Sequence, residues 1–158
     1  MRRALLALAL LAACAPAPRV RYLDRSAIQV RPRPEYVQWY LTALACATDL
    51  ARIDSSFTIR PNVPHPDDIE WVIVPTERED RRFPFAVRSN GDTLYANGLT
   101  FSADSAHPRI VLSAALARSR ELVIHESLHV IVNSAQEERV RANHTLEHGS
   151  PWGVCEYL

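Results

Sequence analysis

The spacing of apolar residues changes along this chain, and each change marks a different element. Residues 4–13 are an unbroken run of ten Leu and Ala residues behind a positive start, Met1-Arg2-Arg3. Ten residues are too few to span a bilayer as a helix, so the run has the form of a secretory signal. Residues 15–34 hold Ala-Pro-Ala-Pro and Arg-Pro-Arg-Pro, which favour an extended tether. Next, Val37, Tyr40, Leu41, Leu44 and Thr48 recur at helical spacing after a proline suited to a helix start, predicting a helix over 35–51. Pro61, Pro64 and Pro66 make 54–68 a loop.

From there the pattern turns to short apolar runs. Residues 70–75 read Glu-Trp-Val-Ile-Val-Pro, a β-branched strand, and 83–87 is similar but carries Pro84, which restricts it to a sheet edge. Asn90-Gly91-Asp92 is a turn leading into a strand over 93–102, and 109–113 gives another strand after Pro108. Ser119 can cap a helix with Glu121 in its first turn, and Leu122, Ile124, Leu128, Ile131 and Val132 carry it to about residue 134. The expectation is a small α+β domain: an N-terminal helix, three or four strands, and a helix behind them. The length of 158 residues suits one core. The chain then divides into a signal over 1–13, a tether over 14–34 and a folded domain over 35–158.

Composition narrows the class. Hydrophobic residues at 47% and charged ones at 23% exclude collagen-like, coiled-coil and largely disordered chains. The 18 basic residues, all Arg, balance 18 acids, and loss of Arg2 and Arg3 with the signal leaves a net charge of −2. That balance supports no nucleic-acid partner. The signal ends in Leu11-Ala12-Ala13-Cys14, which resembles the lipobox of bacterial lipoproteins. The resemblance implies cleavage before Cys14, lipid on Cys14, and a protein anchored in the cell envelope facing the periplasm or exterior. By lipoprotein sorting analogy, Ala15 points to the outer membrane. Ordinary cleavage would instead leave Cys14 as a thiol or disulfide half. With Cys14 acylated, Cys46 and Cys155 remain as a disulfide or as two buried thiols.

The chemistry sits on the last helix. His125-Glu126-Ser127-Leu128-His129 is an H-E-x-x-H, so its two imidazoles lie four residues apart and can converge on one ion, with Glu126 beside them. A chain of this composition meets the pattern by chance about once in seventy, which favours a site over coincidence. A catalytic zinc takes three protein ligands and keeps one position for water. The metzincin pattern would need Gly at 132 and His at 135, where this chain has Val132 and Ala135. The third ligand is therefore sought further on, among His144, Glu147 and His148. His148 is favoured, because Gly149-Ser150-Pro151 behind it makes a turn able to hold an imidazole. Glu147 would give the His-His-Glu set of gluzincins, and His144 could be an outer or transition-state group.

With Cys46 on an early helix, Trp71 in a strand, a glycine-containing strand over 95–100, the H-E-x-x-H, His148 and a final Cys155, the chain resembles small exported bacterial zincins over about residues 36–158. The resemblance implies a zincin-like fold, a Zn2+ held by His125, His129 and His148, and a Cys46–Cys155 disulfide fastening the ligand-bearing tail to the first helix. It implies a membrane-anchored, monomeric zinc metallopeptidase, with Glu126 as general base on a zinc-bound water and an extended peptide or protein substrate aligned on the 95–100 strand. Against it stands a non-catalytic zinc-binding or partner-binding envelope lipoprotein, from which a carboxylate at 126 discriminates. Tyr95, Tyr157 and His144 are candidates to stabilise an oxyanion. His65 and His107 stand beside prolines as surface residues, and Trp39, Trp71 and Trp152 are read as core.

Overall fold

A computed structural model describes residues 20–22, 28–30, 32–55, 57–76, 79–101, 107–132, 154 and 155. Its elements make a mixed α+β chain, as expected, in two compact units. One takes its residues from Met1–Arg25 and Pro84–Tyr95, the other from Ser26–Phe83 and Ala96–Leu158.

The first unit is a three-stranded sheet of β1 (Val20–Tyr22), β4 (Phe83–Arg88) and β5 (Thr93–Ala96), in the order β1-β4-β5. The Asn90-Gly91-Asp92 turn forms as expected. Gly91 takes a φ of +89°, a region open to glycine, and Arg88 N–H donates to Asp92 O across the hairpin at 2.9 Å. β4 is central, which corrects the expectation of an edge strand. Pro84 does not prevent this because β1 pairs only with Ala86, Val87 and Arg88, beyond the proline.

The second unit holds a four-stranded sheet of β2 (Ile28–Val30), β3 (Glu70–Val74), β6 (Gly98–Phe101) and β7 (Arg109–Ser113), in the order β2-β3-β7-β6. β3 and β7 run parallel, with Trp71 opposite Ile110, and the outer strands are antiparallel to them. Ile110, Val111, Leu112 and Ser113 are all buried, as in a strand covered on both faces. Two departures from the sequence reading bear on the strand count. The stretch read as tether contributes β1 and β2 to the two sheets, and the single strand expected over 93–102 breaks at Asn97 into β5 and β6, one for each sheet.

The long helix Pro34–Ile53 starts with proline in its first turn, where a missing N–H costs nothing. It buries Tyr36, Tyr40, Ala43, Cys46 and Ala47, a stripe rotated from the expected one, and Leu41 is half exposed. The tyrosines decide the face. Their hydroxyls donate to Ala117 O at 2.6 Å and Pro64 O at 2.7 Å, so large rings go inside with their polar ends satisfied. The core joins this face to Trp71, Ile110, Leu112 and the helix Arg120–Ile131, and it contains the Cys46–Cys155 disulfide, with Cα atoms 5.7 Å apart. That pairing bears out the cysteine expectation. Among the described residues no helix is long and apolar enough to cross a membrane.

Candidate active site

The helix Arg120–Ile131 carries His125, Glu126 and His129. Ser119 caps it as expected: its hydroxyl accepts from Leu122 N–H at 3.3 Å and donates to Glu121 Oε2 at 2.8 Å. A hydrogen bond from Glu121's own backbone N–H, and then the one from the Ser119 hydroxyl, hold the Glu121 carboxyl below its usual pKa. The helix stops at Ile131, short of the expected 134. Val132 turns extended, at φ −79° and ψ 146°, and bridges to Ile59. Arg60, buried beside this end, donates from Nε to Val132 O at 2.8 Å and from Nη2 to His129 O at 3.2 Å, while its backbone N–H takes Ile131 O. A guanidinium thus satisfies carbonyls that a longer helix would have used.

Burial runs almost all the way round this helix. Val123, Ile124, Glu126, Ser127, Leu128, Val130 and Ile131 are buried, whereas Leu122, His125 and His129 form the stripe left partly open. Both histidines lie on that stripe, one turn apart, with Nε2 atoms in hydrogen-bond contact at 3.3 Å and rings at 73°. A tetrahedral zinc with Zn–N bonds of about 2.0–2.1 Å has an edge near 3.3–3.4 Å, so the two nitrogens are spaced as two corners of such a site. The imidazoles are also of the donor type zinc takes.

Glu126 lies beneath β6. It is 4% exposed, although a carboxyl is among the groups least often buried. The Thr100 hydroxyl stands 2.8 Å from Glu126 Oε2 and 3.0 Å from the Glu126 backbone carbonyl oxygen, and the carboxyl contact is the shorter. Gly98 permits the approach, since a Cβ there would fall 2.5 Å from Glu126 Oε1. β6 is at the edge of its sheet. Ser113 N–H donates to Asn97 O at 2.8 Å, and the antiparallel register continues that pairing through Leu99 opposite Val111. Alternation along the ladder then turns the main-chain groups of Gly98 and Thr100 away from β7, toward the side on which no further strand pairs among the described residues.

Of the other expected site residues, Cys14, His144, Glu147, His148, Trp152 and Tyr157 lie outside the described residues. Tyr95 is on β5, in the first unit. Among the described residues no group of three His, Cys, Asp or Glu side chains comes together. His65 is exposed and caps a short 3-10 turn at Pro66–Asp68, and His107 is exposed, both as read from sequence. Trp71 is fully buried with its indole N–H on Pro66 O. Sequence reasoning missed Arg60, which nothing in its neighbourhood marks, and missed what Gly98 and Thr100 touch. Comparison with protein-family models, with curated proteins and with solved structures finds no match to this chain.

Proposed function

We propose that this chain is a zinc-dependent peptidase, lipid-anchored to the bacterial envelope through Cys14. One observation carries the reading: on a helix otherwise packed into the core, the partly open stripe presents two imidazole Nε2 atoms at a tetrahedral edge's separation. His125 and His129 would hold the ion, and His148 is the proposed third ligand. Cys155, seven residues after His148, is fixed in the core by its bond to Cys46. Zinc in such a site supplies Lewis-acid chemistry, acidifying water toward a pKa of roughly 7 and polarising the scissile carbonyl.

The chain's own groups supply the rest. Glu126, adjacent to the first histidine and held in place, takes the proton of the attacking water and returns it to the leaving amine. A helix buried on its other sides keeps both groups rigid, which proton transfer requires. An extended peptide laid against β6 would pair with the outward main-chain groups of Gly98 and Thr100, so backbone recognition would tolerate varied side chains. The test is hydrolysis of a mixed pool of unstructured peptides, read by mass spectrometry, with wild type and Glu126→Gln in parallel. Cleavage by wild type, with rates at least about 100-fold lower in the variant and zinc still bound, is the expected result. Equal cleavage by both would remove Glu126 from the reaction.

A further inference from the structure

The strand that offers its edge to a peptide also grips the proposed base. Gly98 and Thr100 are two residues apart on β6, so they share a face, and that face is turned to Glu126. Thr100 fixes one carboxyl oxygen through its hydroxyl at 2.8 Å. At Gly98 the other oxygen occupies the space of a missing side chain, for a Cβ there would stand 2.5 Å from Oε1, 2.8 Å from Cγ and 2.9 Å from Cδ. A free glutamate side chain samples many rotamers, and these two contacts restrict the carboxyl to few of them.

We infer that Gly98 and Thr100 are positioning residues for Glu126, the one by leaving room and the other by a hydrogen bond. The inference rests on the peptidase reading and adds a link to it. Main-chain groups of the same two residues face away from β7, where no further strand pairs among the described residues, so a substrate paired there is in register with the strand that sets the base. The scissile bond and the proton acceptor are then located by one element, and small errors between them do not accumulate through loops.

Three variants test this: Thr100→Val, which keeps the shape and removes the donor, Thr100→Ser, which keeps the donor, and Gly98→Ala. The readouts are kcat and KM on one peptide that wild type cleaves, zinc affinity by chelator competition, and the melting temperature. Thr100→Val and Gly98→Ala should lower kcat about 10- to 100-fold, the scale of a misplacement near 1 Å, with KM and zinc affinity changed less than about 3-fold. Thr100→Ser should return kcat to within about 3-fold of wild type. Unchanged kcat in Thr100→Val, failure of serine to restore it, or a fall in zinc affinity parallel to kcat would overturn the positioning role. Should Gly98→Ala not fold, the Thr100 pair decides alone. An inactive wild type, or an active Glu126→Gln, would instead sink the peptidase reading and the positioning role with it.

Discussion

His125 and His129 face one point because they are four residues apart on a helix, and that much was written in the sequence. Glu126 was legible as a residue but its surroundings were not. Thr100 lies 26 positions away and reaches it only because β6 crosses the motif helix, a juxtaposition that local spacing does not encode. At this scale the open choice is the third ligand. His148→Ala should weaken zinc binding far beyond the 10- to 100-fold typical of an outer residue, while His144→Ala and Glu147→Gln should stay within it. Chelator competition across the three variants ranks them. Loss of metal in Glu147→Gln with retention in His148→Ala would place the protein in the His-His-Glu class.

Two ends define the motif helix, and they differ in how readable they were. Ser119 with Glu121 is a local cap, visible from three adjacent positions, and Ser119→Ala should cost about 1 kcal/mol in thermal or denaturant unfolding. Glu121's lowered pKa gives a sign as well: its contribution is present above the ordinary carboxyl value of 4.5 and is lost as the pH falls through the lowered one. The other end was misread by three residues because Arg60, 72 positions before Val132, supplies the stop. Arg60→Met keeps much of the side chain's bulk but orphans the carbonyls of His129 and Val132. It should destabilise the domain by about 2–4 kcal/mol and loosen zinc, since the same bonds hold the turn bearing His129. Stability and metal affinity unchanged in that variant would show the cap to be dispensable. Strand β4 teaches the same lesson: Pro84 marked an edge, yet pairing that begins at Ala86 lets the strand lie in the middle.

Across the whole molecule, the disulfide joins the long helix to the chain's last residues over a separation of 109 positions. The chain-entropy model puts a loop of that size at about 4–5 kcal/mol. Cys155→Ser should therefore lower the melting temperature by roughly 10–15 °C and weaken zinc binding at the same time, because the tail proposed to bear the third ligand loses its anchor. Counting, with Cys14 set aside for lipid, left Cys46 and Cys155 as a disulfide or two buried thiols; that they bond, within the core, is read from the structure. Cys14→Ser should release the protein from the membrane fraction, since stable attachment needs more than one lipid chain and the proposed anchor is that cysteine. The central claim is the metal itself, and the most direct measurement is the zinc content of the mature domain purified without added metal, by elemental analysis, for wild type and for His129→Ala. One zinc per chain in the wild type and none retained in the variant is the expected result; full occupancy in both, or none in either, would contradict the account.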